Sequence, residues 1–217
     1  MFENAKKSKY KPWRISKIVI NSTITYLSSH PGYRELELPS YEKGKLRLVE
    51  PKIEYAHIGL KWITDQEAVQ YMGADFSEPS IEKELERMKK IIASVDEYNW
   101  AIELDGEIIG NVALNNITEK STETGLKTGN FAILIGDKQH WGKGIGQSVT
   151  RAVLDWAFQQ GSFEIIVARA LEPNTGSIKT LTKLGFEKTG TEQYDGLVNE
   201  QETNWINFKL SKPQKLP

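Results

Sequence analysis

Three closely spaced glycines form the stretch of this sequence best suited to bind a ligand. They lie in Trp141-Gly-Lys-Gly-Ile-Gly146, after an apolar run at residues 131–135 and at the start of a helical pattern. Because glycines have no side chains, a ligand can reach the backbone amides of such a loop. These amides point out of a helix N-terminus, where the helix dipole adds partial positive charge. That geometry suits phosphate, although the glycines could equally serve only a tight turn. Neither a Walker loop nor a dinucleotide fingerprint fits, because no Ser or Thr follows Lys143 and the third fingerprint glycine is missing.

The elements around this loop predict a βαβ unit. Apolar residues recur on one face of the helical pattern, at Ile145, Val149, Ala152, Val153 and Trp156. Gly161 supplies a helix stop, and a second apolar run follows at residues 165–168. A strand, a helix and a strand in this order predict two parallel strands joined by a right-handed crossover.

Two motifs in this unit resemble the GNAT superfamily of N-acetyltransferases. The glycine loop is similar to the family's acetyl-CoA pyrophosphate loop, Gln/Arg-x-x-Gly-x-Gly/Ala, with Gly144 and Gly146 at the small positions and Trp141 at the first. Asn174-Thr-Gly-Ser177, followed by Gly185-Phe186, resembles the second motif of the RimJ/RimL-like branch. The resemblance covers about residues 45–210.

The resemblance implies a mixed α/β (α+β) fold of the GNAT type. We expect a twisted, mostly antiparallel sheet with a central, splayed parallel strand pair and flanking helices. The acetyltransferase domain is predicted at residues 44–217. Residues 1–43 are predicted to be an N-terminal extension, a basic arm followed by an extra strand or hairpin within residues 15–38.

The same resemblance implies acetyl-CoA as co-substrate, without a metal. Amides from residues 142–146 would take the pyrophosphate, Asn174 and Ser177 would bond the pantetheine, and an N–H at a strand bulge near residues 133–135 would polarise the thioester carbonyl. Read from the sequence alone, Asn174 is also a good helix N-cap. The predicted cofactor-binding residues are Ile133, Leu134, Ile135, Trp141, Gly142, Lys143, Gly144, Ile145, Gly146, Asn174 and Ser177.

The catalytic residues are unknown at this stage. Asn130 stands where many relatives carry a glutamate, and Leu181 where many carry a tyrosine acid. His140 could titrate near neutrality, or be an ordinary surface residue. Tyr194 and Glu123 would reach the site only if their loops fold inward.

The acceptor would be a primary amine, either a small molecule or a peptide N-terminus. In the family, the first helical region builds a wall of the acceptor pocket, which makes Trp62, Tyr71 and Met72 candidates, with core packing as the alternative. Four carboxylates of that region could meet a cationic acceptor, or form only a solvated face: Asp65, Glu67, Asp75 and Glu78. A polar stretch at residues 115–129, with Glu119 and Glu123, is predicted to be a loop that could close over a ligand.

Further elements follow from local patterns. Residues 46–49 and 187–191 are predicted strands, and residues 53–63 and 81–95 predicted helices, the second capped by Ser80. Asp105-Gly106 predicts a two-residue hairpin turn. A polar connection containing Asp195-Gly196 is predicted to precede a last strand at residues 205–210.

Composition limits the partners. With 217 residues, a net charge of −1 and no cysteine, the chain offers no global field for nucleic acid or membrane, no disulfide and no zinc–thiolate site. We expect a cytoplasmic enzyme, and a homodimer is compatible with the sequence. The predicted function is acetyl transfer to an amine, and the alternative is a non-catalytic CoA-binding regulatory protein.

Overall fold

The chain divides into two compact units, Met1–Tyr33 and Arg34–Pro217. The structure, a computed structural model, describes residues 35–38, 41–74, 76, 78–118 and 125–213, and the backbone of two short strands before them. Those strands, β1 (Val19–Ile20) and β2 (Thr23–Ile24), pair antiparallel within the smaller unit. The basic arm lies outside the described residues, and the division into residues 1–43 and 44–217 stays a prediction.

The larger unit is built on one eight-stranded sheet, in the order β3-β4-β5-β6-β7-β8-β10-β9. Every neighbouring pair is antiparallel except β7 and β8. The strands are β3 (Leu36–Glu37), β4 (Leu46–Val49), β5 (Tyr98–Leu104), β6 (Glu107–Thr118), β7 (Thr128–Ile135), β8 (Ile165–Leu171), β9 (Glu187–Val198) and β10 (Gln201–Ser211). The predicted fold class is confirmed.

Five α-helices accompany the sheet within the described residues. They are α1 (Ala56–Ile63), which follows a 3-10 turn at Ile53–Tyr55, α2 (Gln66–Val69), α3 (Ile81–Ala93), α4 (Ile145–Gln159) and α5 (Thr175–Lys183). Ser80 caps α3 as predicted, with its side-chain oxygen accepting from the N–H of Lys83 at 3.3 Å. None of the described helices is long and apolar enough to cross a membrane.

Aromatic side chains join α4 to the sheet. Trp156 of α4 packs edge-on against Tyr98 and Trp100 of β5, with ring centroids 4.6 and 5.2 Å away. Phe163, which follows α4, is fully buried beside the same rings. Because α4 is anchored by these contacts, the start of the helix is fixed relative to the strand before it.

The predicted connections between strands are partly confirmed. Asp105 and Gly106 both have positive φ and connect β5 to β6, as their sequence predicts. The prediction for Asp195-Gly196 was wrong, because β9 continues through them to Val198 and the turn is formed by Asn199 and Glu200. The pairing jumps from Glu202/Leu197 to Asn204/Gln193, so Asp195-Gly196 lies in a β-bulge of this edge strand.

The predicted loop at residues 115–129 was also wrong at both ends. β6 runs on to Thr118 and β7 begins at Thr128. The polar side chains are accommodated in the sheet, since Asn130 donates from Nδ2 to Oδ1 of its cross-strand partner Asn115 at 2.8 Å. Glu119 and Glu123 lie outside the described residues.

Candidate active site

A cleft opens where the two parallel strands separate. β7 and β8 are paired only from Thr128/Ile165 to Asn130/Val167. Beyond this point the strands diverge, as predicted, and leave a cleft of about 740 Å³ lined by residues 130–135 of β7 and 168–170 of β8. The gap exposes strand edges inside the molecule, where main-chain groups are left for a ligand to bond.

The glycine loop closes one end of this cleft. Gly142 and Gly144 have φ of 71° and 85°, values that L-residues with a side chain rarely adopt. Gly144 is the N-cap of α4 and contributes no side chain to bond the first helical amides. A Cβ placed on Gly142, Gly144 or Gly146 would meet only open space. The amides of the first turn therefore face a space into which an anion fits.

Trp141 fixes the loop to the end of β7. Its indole Nε1–H donates to the carbonyl oxygen of Ile135 at 2.7 Å, and its ring lines the cleft. Before it, residues Lys138–His140 form a 3-10 turn capped by Asp137, whose carboxylate accepts from the N–H of Gln139 at 3.0 Å. The loop is thus held by bonds that leave its glycine amides unused.

The strand register shows no bulge within residues 133–135, and directly after them the N–H groups of Gly136 and Asp137 both donate to the carbonyl oxygen of Ile109, at 2.9 and 3.2 Å. The β6–β7 register runs without a shift from Gly110/Ile135 to Asn115/Asn130, and the irregularity lies at Asn116, whose φ is 49°. The separation of the strands leaves another main-chain N–H available for a ligand. Gly136 donates to Ile109 of β6, and N–H groups alternate along a strand, so the N–H of Ile133 points to the β8 side, beyond the last paired residue.

α5 places the second motif on the opposite wall. Asn174 caps this helix through its Oδ1, which accepts from the N–H of Ser177 at 3.1 Å, so the N-cap reading is confirmed. Asn174 and Ser177 both line the cleft, and Leu181 follows them as a buried apolar lining residue. Because Oδ1 is committed to the cap, the Asn174 amide offers the cleft its Nδ2–H donors.

The predicted cofactor-binding residues converge on this one cleft. Ten of the eleven line it: Ile133, Leu134, Ile135, Trp141, Gly142, Gly144, Ile145, Gly146, Asn174 and Ser177. Lys143 does not, and its side chain is exposed in the same loop. Their role in binding remains a prediction.

Groups that could move a proton are few along the described lining. His140 lies in the wall of the cleft with a side chain 18% exposed, and its Nε2 is 3.6 Å from Oδ2 of Asp137. Its Nδ1 is buried without a hydrogen-bond partner among the described residues. Tyr194 does not line the cleft, because it lies in β9 and packs edge-on against Trp205, and Glu123 lies outside the described residues.

Aromatic side chains build the other end of the cleft. Tyr71 and Met72 follow α2 and line it, together with Trp205 of β10. Gly73 has a φ of 64° and lies flat against Trp205, so close that a Cβ would come 2.2 Å from the ring. Trp62 does not belong to this wall, because it packs on Gly136 and lines a separate cavity of about 30 Å³.

Three of the four carboxylates predicted for a cationic acceptor are already paired. Lys138 binds Asp65 at 2.8 Å and Glu67 at 2.7 Å. Hydrogen bonding from Lys138 lowers the pKa of the Asp65 carboxyl, and the two carboxylates raise the pKa of Lys138. Glu78 binds Lys83 at 3.4 Å, outside the cleft, and Asp75 lies outside the described residues.

A pair of lining residues that contact each other was missed in the sequence analysis. Arg169 of β8 lies over the ring of Trp205, with its guanidinium carbon 4.3 Å from the centroid, and both line the cleft. Their strands are paired, with Asn207 opposite Arg169. The charged Arg169 within an otherwise apolar strand sequence was the available signal, but only the strand pairing identifies its aromatic partner.

Sequence comparison identifies the family. The model of the acetyltransferase (GNAT) domain matches residues 45–187. An N-acetyltransferase 9-like protein of Caenorhabditis elegans is 28% identical over 60% of this chain and 69% of its own length. A probable N-acetyltransferase of Bacillus subtilis, YjcK, is 34% identical over 48% of this chain and 56% of its own length.

Solved structures share the fold at low identity. The spermidine N-acetyltransferase of Vibrio cholerae, solved with CoA and spermine, has a TM-score of 0.66 at 19% identity, over 77% of this chain and 94% of that one. RimJ of Mycobacterium smegmatis, solved with CoA-disulfide, has a TM-score of 0.66 at 18% identity, over 77% and 82%. Such likeness shows the fold and does not assign a branch. The chain belongs to the GNAT family of acetyltransferases, and the enzyme class predicted from its motifs, an acetyl-CoA-dependent N-acetyltransferase, is confirmed.

Proposed function

We propose that this protein binds acetyl-CoA in the cleft between β7 and β8 and transfers the acetyl group to a primary amine, a small molecule or a peptide N-terminus. The observation that carries the proposal is the meeting of three donor groups in one cleft. These are the amides of residues 142–146 at the start of α4, the unpaired strand edge at Ile133, and the amide of Asn174.

The cleft residues would divide the work along the length of the co-substrate. Amides at Gly142, Gly144 and Gly146 would bind the pyrophosphate, because a helix N-terminus favours anions. Asn174 and Ser177 would bond the pantetheine, which then runs between the separated strands. Structures of distant relatives contain CoA or acetyl-CoA, which supports this choice of ligand.

Acetyl-CoA supplies an activated thioester carbonyl. The N–H of Ile133 would donate to the carbonyl oxygen, and one such donor is worth about 3 kcal/mol when it acts on the developing negative charge. The amine nitrogen would bond the carbonyl carbon as the carbon–sulfur bond breaks, with no covalent bond to the protein. The amine must arrive unprotonated; its nitrogen keeps one hydrogen in the amide product and loses the other as a proton to solvent, while CoA would leave as the thiolate.

Membership of the RimJ/RimL-like branch also remains our proposal. It is supported by the second motif from Asn174 to Phe186 and by Leu181 at the position where other branches carry a tyrosine acid. Leu181 is buried and apolar, so this wall of the cleft would hold no acid for the departing thiol.

A release assay with varied amines tests the proposal. Acetyl-CoA should raise the melting temperature, because a ligand selective for the folded state stabilises it. CoA should then be released with at least one member of a panel of amino sugars, polyamines, amino acids and short peptides. Tight binding without release on any amine would favour the regulatory alternative, and a stronger response to ATP or NAD would contradict the choice of ligand.

A further inference from the structure

We infer that the acceptor carries its own anionic group, a carboxylate or a phosphate, and that Arg169 binds it. The inference rests on the proposed acetyl transfer and assigns the acceptor class for the same cleft. It is argued from which charged side chains at the aromatic end already have a strong partner and which can still bind a ligand.

The carboxylate that lines the cleft already has a partner within the protein. Among the described lining residues, Glu67 carries the carboxylate, and Lys138 binds it at 2.7 Å while also binding Asp65. A polyamine would therefore have to displace an ammonium group of this chain before it could pair with Glu67. The cleft therefore differs from a site for cations, although the chain shares its fold with a spermidine acetyltransferase.

The guanidinium of Arg169 is held in position and still has N–H groups available to a ligand. Arg169 is 53% exposed, and its guanidinium rests on Trp205, a ring that is itself 7% exposed and packed against Tyr71, Gly73 and Tyr194. A guanidinium stacked on a buried indole keeps its orientation while its N–H edges stay available in the plane. Carboxylate and phosphate oxygens match that edge in pairs.

The partner of Arg169 is weak enough to be exchanged. Nη1 lies 3.4 Å from Oε1 of Glu192, and both side chains are about half-exposed. Exposed ion pairs of this kind contribute about 0–1 kcal/mol. An acceptor anion bound in the cleft would compete with Glu192 alone, so the exchange has a small cost.

The test compares acceptors that differ only in charge. β-Alanine with β-alaninamide removes a carboxylate, and phosphoethanolamine with ethanolamine removes a phosphate, so the two pairs distinguish the sources of the anion. Spermidine is the cationic acceptor. We expect kcat/KM, expressed per unprotonated amine, to be about 10–100-fold higher for one of the anionic acceptors than for its neutral partner, the range of a hydrogen-bonded charge.

Variants then assign the effect to Arg169. Arg169→Gln should lower kcat/KM for the anionic acceptor towards that of its neutral partner and so remove this preference, and Arg169→Lys should keep only part of it. Glu192→Gln should raise kcat/KM for the anionic acceptor several-fold, because the competing carboxylate is gone. Arg151→Gln, on the exposed surface of α4 away from the cleft, is the matched control and should change nothing.

Two failures can be told apart. If acetyl-CoA neither binds nor is turned over, the proposed function falls, and this inference with it. Binding of acetyl-CoA without CoA release on any amine would likewise overturn the proposed function. If neutral or cationic amines release CoA and the anionic acceptors release none, or release it no faster, only the assignment of the acceptor is overturned. An anion preference that survives Arg169→Gln would contradict the role of Arg169.

Discussion

The two ends of the cleft are built by different means. At the glycine end, consecutive residues from Trp141 to Gly146 present main-chain amides at the start of one helix. At the aromatic end, side chains come from α2 and its following turn, from β8 and from β10, which are up to 134 positions apart in the case of Tyr71 and Trp205.

This difference predicts which end of the cleft binds a constant ligand and which can change its ligand by mutation. Main-chain groups offer the same amides whatever the side chains, so the glycine end suits a constant ligand such as a pyrophosphate. The aromatic end depends on contacts such as Trp205 with Arg169, and one substitution there changes its charge and shape. We therefore expect mutations to separate co-substrate binding from acceptor choice.

The largest expected effect is at Gly144. Gly144→Asp should weaken acetyl-CoA binding by more than about 100-fold, because the carboxylate would occupy the open space at the helix N-terminus intended for phosphate. Isothermal titration with acetyl-CoA measures it. Gly144→Ala carries the same backbone strain without charge and should bind at least tenfold better than Gly144→Asp.

A second control separates strain from charge elsewhere. Gly106 has a similar φ of 90° and open space around it, in the β5–β6 turn. Gly106→Asp should cost about 1–2 kcal/mol of unfolding free energy, the penalty of a left-handed conformation, and leave acetyl-CoA affinity intact. Equal loss of binding in both aspartate variants would contradict a phosphate site at Gly144.

Gly73 tests the aromatic end in the same way. Gly73→Ala should push the segment after α2 away from Trp205, because its Cβ would lie 2.2 Å from the ring at a φ of 64°. Overpacking and strain together should cost about 2–4 kcal/mol of unfolding free energy. The acceptor KM should rise at least tenfold with little change in acetyl-CoA affinity, as steady-state kinetics would show.

Gly125 provides the matched control for Gly73. It has a φ of 68° and no atom of the described residues within 4 Å of its Cβ position, so Gly125→Ala carries the backbone strain without the contact. This variant should leave the acceptor KM unchanged. A parallel loss of acetyl-CoA affinity in Gly73→Ala would show that the two ends of the cleft are not independent.

The sequence predicted the glycine end better because its signals are local. The order of strand, loop and helix, and the cap at Asn174, need only neighbouring residues, and all are observed. At the aromatic end, Tyr71 and Met72 line the cleft, and their part in an acceptor wall stays a prediction from family resemblance. The pairing of Asp65 and Glu67 with Lys138 joins segments some 70 residues apart. Periodicity carries no information about such contacts.

The same limit explains the errors in the strands. Polar stretches were interpreted as loops at residues 115–118 and around Asp195, although both belong to strands. A strand at a sheet edge or beside a cleft has a solvated face, so polar side chains do not exclude it. Whether a polar stretch forms a strand depends on the strands with which it can pair, and the sequence does not identify those strands.

Asn174 should separate a cap from a ligand contact. Asn174→Asp keeps an oxygen to accept from the N–H of Ser177 and should leave the melting temperature nearly unchanged. It loses the amide donor, so acetyl-CoA affinity should fall by about tenfold, the worth of one hydrogen bond with added charge repulsion. Asn174→Ala should lose both, with about 1 kcal/mol of unfolding free energy. Unchanged affinity in Asn174→Asp would restrict Asn174 to the cap.

The smallest effect is expected at Lys138, which ties α2 to the turn before the glycine loop. Lys138→Met should change the unfolding free energy only slightly, as for other exposed ion pairs. Because Lys138 lowers the pKa of Asp65, the stabilisation is complete above the unfolded value of about 3.9 and is lost as the pH falls through the lower folded value. Urea titrations should therefore show a smaller difference from the wild type at pH 2.5 than at pH 7.

Lys138→Met should also change acceptor choice, because it frees Asp65 and Glu67 at the aromatic end. We expect kcat/KM for spermidine to rise relative to the anionic acceptors, by up to about tenfold, and to fall again at 1 M salt as the freed carboxylates are screened. Lys83→Met, which removes the partner of Glu78 outside the cleft, is the control and should leave this ratio unchanged. A ratio that does not move in Lys138→Met would show that charge at this wall does not select the acceptor, and the selectivity would then rest on Arg169 alone.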